Sequence, residues 1–232
     1  MKIFFSKISL LPFFIFLFQF GNTNPLLGQV DDGMLIFQVD GNRYKRSNFN
    51  KQAKLINYQI IEVGKVKKEG EKIETKMTVI TYEPDGTLRD ASQTNLVCSP
   101  ESKQVLMGVF PFAGKKSKRS LVVDMEDGAI MYPSGWRQLS KLNDFNFSLN
   151  FKDGVVGFFG TKSNISITNR KVMPLENSFR VSGEMSIRAY VIGIKVTSIE
   201  YKYFEEIDME KGIIKQKFTD KIGDYFTIEI LK

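Results

Sequence analysis

From Ile56 onward the chain alternates in twos. Ile73–Tyr82 reads IETKMTVITY, with Met77 and Val79 set between polar residues. That is the period of a strand with one buried face. Ile56–Val66 is rich in Ile and Val, and Lys67-Lys68-Glu69-Gly70-Glu71 is a polar, glycine-containing turn. Together these segments predict a β-hairpin. Glu83-Pro84-Asp85-Gly86 predicts the next turn, because Pro presets one φ and Gly accepts a positive one. Further strands are expected at Leu96–Cys98, Val105–Phe110, Ser120–Met125, Phe145–Phe151, Val155–Phe159 and Ser163–Lys171. Phe179–Val191, Lys195–Phe204, Ile213–Phe218 and Tyr225–Leu231 follow. Past the N-terminal leader, no segment keeps a helical period over about twelve residues. Ser47–Leu55 comes nearest, but a weak repeat argues against a helix there. Phe49–Leu55 and Tyr82–Leu88 each run from an aromatic through a polar stretch to Leu, and Phe218–Tyr225 is a looser third copy. Each reads as a strand end, a tight turn and a new strand. The expectation is an all-β fold, mainly antiparallel, with ten or more strands. They would form a two-sheet sandwich or one strongly curved, partly closed sheet.

The first 29 residues follow a different pattern. Lys2 and Lys7 open it, Ile8–Phe20 is apolar apart from Ser9 and Gln19, and Gly21–Gly28 is small and polar. This is the three-part layout of a secretory signal peptide. The apolar run is short for a membrane span and holds Pro12. Cleavage is expected near Gly28 or Gln29, leaving residues 30–232 as a single β domain that does not span a membrane. The expected location is the periplasm, the outer-membrane surface or the medium.

Composition narrows the chemistry. The 232 residues are 42% hydrophobic and 25% charged, with no His and one Cys. Lacking His, the chain can build no Ser-His-Asp or Cys-His pair and no histidine zinc site. One Cys excludes an internal disulfide. Lys and Arg number 33 against 26 acids, a net +7. Loss of the leader takes two lysines and no acid, so the remaining excess is small and diffuse. It predicts no nucleic-acid partner. No GxGxxG after a strand and no P-loop occur, so neither a cofactor nor a metal is expected.

Several segments are candidate sites, each against a plain structural reading. Cys98 ends an apolar strand and reads as a small buried hydrophobe. Asp124 and Glu126 share a strand face and could bind Ca²⁺, though the EF-hand spacing is absent, or act as a carboxylate pair on a glycan. Asp127-Gly128 beside them is also an ordinary turn. Glu205-Glu206-Ile207-Asp208-Met209-Glu210 is a second acidic group, read as a solvated loop before Gly212. Lys115, Lys116, Lys118 and Arg119 could contact an anionic surface. A solvated hairpin loop that guards strand edges is the alternative. Val105–Phe112, Val155–Gly160 and Tyr190–Ile194 are apolar without clean alternation and carry glycines. Such strands are buried on both faces or line a groove. Phe110, Phe112, Phe158, Phe159 and Tyr190 are therefore candidate ligand contacts. Trp136, near Tyr132 and Pro133, could stack on a sugar or plug the core.

The order of short motifs resembles a known group. The pieces are Tyr44 with the Asn50–Leu55 turn, Tyr58–Val63, Tyr82–Gly86, Leu96-Val97-Cys98, Asp124-Met125-Glu126, Tyr132-Pro133, Ile167–Val172, Glu200–Phe204 and Gly212–Gln216. In this order they resemble the TapB-like family of exported β proteins from Bacteroidota. Where members carry a late Gly-Thr-Phe-x-Cys stretch, this chain has Asn177-Ser178-Phe179-Arg180-Val181. A bridge implied for relatives would be absent here. The resemblance implies an exported all-β protein and brings no catalytic residues. The functional expectation is a non-enzymatic envelope protein with an apolar or lipid-like candidate ligand. The alternatives are a structural subunit with an envelope partner, and a carboxylate-dependent glycan hydrolase.

Overall fold

In strand after strand, every second residue is buried, and those residues all face one interior. The computed structural model describes residues 40–70, 72–98, 119–125, 131–133, 135–151, 161–191, 193–208 and 210–231. They form strands β1 (Arg43–Phe49), β2 (Leu55–Val63), β3 (Lys67–Glu69), β4 (Lys72–Tyr82), β5 (Leu88–Cys98) and β6 (Arg119–Met125). Then come β7 (Phe145–Phe151), β8 (Thr161–Pro174), β9 (Ser178–Val191), β10 (Ile194–Asp208), β11 (Gly212–Asp220) and β12 (Tyr225–Ile230). A 3-10 turn at Trp136–Gln138 is the helical element among the described residues. The all-β expectation holds, and the curved, closed sheet is the form adopted.

The strands make one sheet in the order β2-β1-β12-β11-β10-β9-β8-β7-β6-β5-β4-β3. β2 also pairs with β4, from Tyr58↔Tyr82 to Val63↔Met77, and this closes eleven strands into a ring. β3 lies outside the ring, on the Lys72–Glu74 stretch of β4. Neighbours are antiparallel except β5 and β6, which are parallel from Thr94↔Arg119 to Cys98↔Val123.

Strand directions give the ring two distinct ends. At one end, called the floor, lie the β8–β9 and β10–β11 turns, the start of β1 and the segment 131–144 that precedes β7. At the other, called the rim, lie the β1–β2, β4–β5, β9–β10 and β11–β12 turns. The floor is sealed. Val63, Ile73, Val181, Ile207 and Ile213 point inward there and are all buried. Met131, Tyr132, Trp136 and Leu142 of the 131–144 segment close over them. This segment is tied down by backbone bonds from Leu142 N to Arg170 O and from Val172 N to Ser140 O, both 3.0 Å.

Several sequence expectations change. The 67–71 turn holds the short strand β3. Leu96–Cys98 is only the end of an eleven-residue strand. The acidic group 205–210 is no solvated loop, because Glu205–Asp208 complete β10 and Glu205 is buried. Ser47–Leu55 is a hairpin bend as expected, with β1 and β2 paired across it. The predicted strands Val105–Phe110 and Val155–Phe159 lie outside the described residues.

Gly183 of β9 marks the tightest internal contact. A Cβ there would stand 2.8 Å from the Thr168 carbonyl oxygen and 2.9 Å from Tyr203 Cε1. The carbonyl belongs to a paired strand and cannot easily withdraw. Gly183→Ala is expected to lower stability by about 1–3 kcal/mol, read as a lower urea midpoint. An unchanged midpoint would mean that β8 and β9 are not in this register.

Candidate functional site

Charges rarely enter a β-ring interior unless something holds them. Here two groups of polar side chains do. The first lies at the floor and centres on Arg170, with no exposed surface, and Glu205, 1% exposed. Arg170 faces inward because β8 carries a register shift between Thr168 and Lys171, where Asn169 takes φ 55°. Inward positions run Ser163, Ile165, Ile167, then Arg170 and Val172, so the bulge has moved the phase by one residue.

The guanidinium stitches the covering segment to the ring. Arg170 donates from Nη2 to Met131 O at 2.6 Å and from Nη1 to Asn143 O at 3.2 Å. Its guanidinium carbon lies 5.2 Å from the centre of the Tyr132 ring. Tyr132 donates its hydroxyl hydrogen to Glu205 Oε1, and Gln216 Nε2 donates to Glu205 Oε2 at 3.0 Å. Burial pushes the Glu205 carboxyl above its ordinary value; the Tyr132 and Gln216 bonds and the Arg170 charge oppose the rise. Burial and the Glu205 charge push the Tyr132 and Tyr203 phenols up as well. Arg170 Nε, Tyr203 OH and Gln216 Oε1 are buried without a partner of hydrogen-bond geometry.

The second group lies toward the rim. Arg46 of β1 stands directly opposite Gln59 of β2 and Ile228 of β12. Gln59 in turn faces Thr81, Ile228 faces Gln216, and Gln216 faces Glu205. The two groups are thus one inward row across six strands, Thr81-Gln59-Arg46-Ile228-Gln216-Glu205, interrupted by a single apolar residue. The Arg46 guanidinium carbon sits 4.0 Å above the Phe226 ring, and Nε donates to Asn48 Oδ1 at 3.0 Å. Asn48 Nδ2 donates to Asn57 Oδ1 at 2.6 Å. Burial pulls Arg46 down to about 10, which leaves it a cation at neutral pH. Gln59 gives Nε2 to Thr81 Oγ1 at 3.2 Å and leaves Oε1 unpartnered.

An aromatic row runs beside the polar one. Phe226 stacks on Phe218 at 4.7 Å, Phe218 on Tyr203 at 5.8 Å, and Tyr201 meets both Phe rings edge-on. Toward the rim the inward residues Asn48, Asn57, Thr81, Asp90, Ser92 and Tyr201 are half-exposed. The interior therefore grades from a sealed floor, through the buried rings of Tyr203, Phe218 and Phe226, to an accessible polar wall that carries Tyr201.

With that geometry in view, known families can be set beside it. The family model described as DUF3108-like matches residues 39–223. The chain belongs to the DUF3108-like family. This match covers the span of the TapB-like resemblance, which stays a resemblance. The DUF3108-like ring is similar to two solved structures from Bacteroidota. One is an inferred lipoprotein from Parabacteroides distasonis, with 12% identity, 84% of this chain and 96% of that one covered, and a TM-score of 0.48. The other is an inferred exported protein with a YmcC-like fold from Bacteroides fragilis, with 13% identity, 83% and 96% covered, and a TM-score of 0.45. No curated protein matches the chain.

Those sites expected from sequence that fall among the described residues do not come together on this DUF3108-like ring. Trp136 is 3% exposed and packs against Tyr132 at 5.0 Å and Phe179 at 5.4 Å, so it fills the floor and offers no face to a sugar. Tyr190 lies on the outer wall near the rim, far along β9 from the floor. Glu205 points in, while Glu206 points out and pairs with Arg180 at 3.2 Å. The acidic group therefore makes no facing carboxylate pair. Phe110, Phe112, Phe158, Phe159, Lys115, Lys116, Lys118 and Glu126 lie outside the described residues. Arg119, Asp124 and Cys98 are placed by their backbones, in β6 and β5. Among the described residues no metal-ligand cluster occurs, and no helix is long and apolar enough to cross a membrane. Arg46, Arg170 and Gln216 were missed by sequence reasoning, because an inward Arg or Gln looks like any surface residue until strand phase is known.

Glu205 links the site to pH. In the unfolded chain its carboxyl titrates near the ordinary 4.5, and in the fold its value is raised. The folded state therefore holds the proton more tightly over that interval. The stability this contributes is complete below about 4.5 and is lost as pH rises through the folded value. Glu205→Gln cannot ionise, and its amide can still bond Tyr132 and a turned Gln216. The wild-type urea midpoint is expected to fall relative to that of Glu205→Gln between about pH 4 and pH 8. Parallel curves would mean that Glu205 is not buried in this environment.

Proposed function

We propose that this is an exported envelope protein that acts by binding, with an amphiphilic, largely apolar molecule held through the rim end of the ring. The supporting observation is the gradient inside the ring. A sealed floor gives way to a half-exposed wall that carries Arg46, Asn48, Asn57 and Tyr201, with Gln59, Phe218 and Phe226 buried behind it. An apolar body can lie on the half-exposed Tyr201 ring, and a polar head can meet Arg46, Asn48 and Asn57. Binding sites of this kind pair many apolar contacts with few polar ones.

A hydrolytic reading has less behind it. Glycoside hydrolysis needs two carboxyls about 5–10 Å apart across a cleft. Glu205 is committed to Tyr132 and Gln216, and its neighbours Glu206 and Asp208 lie on the opposite face of β10. Export rests on the leader at residues 1–29 and fits the TapB-like resemblance. Periplasm or outer membrane is the expected location, and no nucleic-acid partner is expected.

Native mass spectrometry of protein purified from its own envelope fraction, followed by organic extraction, tests this reading. The expected result is a mass excess that extraction removes and that is recovered as an apolar or amphiphilic molecule. Arg46→Ala is expected to reduce the bound fraction at least about tenfold, since a charged hydrogen bond contributes about 1.5–3 kcal/mol. An empty wild-type protein would overturn the ligand reading and leave a structural role with an envelope partner.

A further inference from the structure

The ring's exposed apolar side chains are unevenly placed. Ile194 and Ile222 are each 70% exposed, Leu88 61% and Val196 57%, with Ile56 and Ile199 also exposed. All six belong to the rim. They come from four different hairpins, at the β1–β2, β4–β5, β9–β10 and β11–β12 turns. Among the described residues the floor shows two, Leu139 and Met173. Scattered exposed apolar residues need no explanation, but a set gathered at one end does.

Just below these tips, the outer wall carries aromatic pairs. Tyr58 stacks on Tyr82 at 5.0 Å and Phe49 on Tyr225 at 4.9 Å. Lys45 lies over Tyr58 at 4.8 Å, and Lys217 over Tyr225 at 4.3 Å. Tyrosines with lysines against them suit the headgroup layer, where an apolar body and a polar tip are both satisfied. Five of the rim's acids have partners; Asp90, facing inward, is not among them. Asp85 accepts from Thr87 N at 2.9 Å, Asp220 from Ile222 N at 2.9 Å and Asp224 from Lys51 N at 2.8 Å. Glu83 pairs with Arg89 at 3.6 Å and Glu200 with Lys221 at 2.8 Å. Lys51, Lys54 and Lys195 at the same turns add positive charge. Further down, the outer wall is ionic, with Arg43 on Glu62 at 3.1 Å and Lys215 on Glu229 at 2.9 Å. Such a wall does not suit the hydrocarbon layer, so among the described residues the rim is the part best suited to a bilayer.

We propose that the rim docks on a lipid bilayer with anionic headgroups, inserting the apolar tips of four hairpins while Tyr58, Tyr82, Phe49 and Tyr225 lie at the headgroup level. This goes beyond the ligand reading and can fail without it. The test is co-sedimentation of the purified protein with phosphatidylethanolamine–phosphatidylglycerol vesicles and with phosphatidylcholine vesicles. Binding to the anionic vesicles is expected, weaker at high salt and weaker still to phosphatidylcholine. The double variant Ile194→Asp with Ile222→Asp is expected to lower the partition at least about tenfold. Both sites are exposed, so its urea midpoint should match the wild type. Leu139→Asp with Met173→Asp, at the floor, should bind like the wild type. The proposal is overturned if the wild type binds neither vesicle, if the rim variant binds unchanged, or if the floor variant loses as much. It is also overturned if the rim variant instead abolishes a concentration-dependent dimer, for the rim would then be an interface between copies of this chain. Mass spectra of extracted protein decide the ligand separately.

Discussion

Closing a ring of eleven strands imposes a parity constraint. Strands that alternate in direction can close only in even number, so an odd ring must hold at least one parallel pair. Here that pair is β5–β6, and the closing pair is β2–β4. A parallel pair needs a crossover of about a dozen residues or more. Residues 99–118 supply that length between β5 and β6. The β1–β2, β4–β5, β8–β9, β9–β10, β10–β11 and β11–β12 connections are short hairpins, while the chain from β6 to β7 includes the 131–144 plug, and so the two ends differ. Closure also leaves the sheet without long free edges. β10 outreaches β11, which pairs only from Tyr201, and its free start bears Lys195 and a bulge at Val196. Both features discourage a further strand from adding there.

The wide interior has to be filled. A ring of about eight strands is filled by its own side chains, and a larger one needs more. At the floor the extra material is the 131–144 segment. Its backbone polar groups would be stranded in an apolar core, which explains the buried arginine. Arg170 takes two carbonyl oxygens that no strand could satisfy. Glu205 and Tyr132 then sit beside a charge that would be costly alone. The polar cluster is thus a consequence of plugging a ring with irregular chain. This argues against reading Glu205 as a catalytic carboxylate on its raised pKa alone.

Much of the architecture was legible because a half-buried strand prints its own period. β4, β7 and β9 match their predicted spans closely, since Met77, Val79, Phe147, Leu149, Met185 and Ile187 alternate with polar neighbours. The first half of β5 was missed for the opposite reason. Its inward residues Asp90, Ser92 and Thr94 line the accessible end, so both faces of that stretch are polar and no period shows. The floor cluster was hidden by the bulge at Asn169, which shifts Arg170 inward against the strand's earlier phase. Of the two readings open for Trp136, sugar contact or core plug, the fold adopts the plug. The acidic group, read as a solvated loop, instead ends β10 with Glu205 buried against Tyr132, a partner far away in sequence that only the three-dimensional structure reveals.

The two ends then divide the physics between them. At the floor Arg170, Glu205, Tyr132 and Trp136 are buried and tie the plug to the ring, which commits these charged and polar side chains to structure. At the rim the same strands end in short turns whose aspartates bind their own backbone, so the turns are stiff while their apolar tips remain uncovered. A stiff, apolar-tipped end encircling a polar and aromatic wall is costly to leave in water. Its cost falls if the tips meet a bilayer and the wall meets a molecule that leaves one. The sealed floor thus leaves the rim as the end through which the proposed amphiphile would pass.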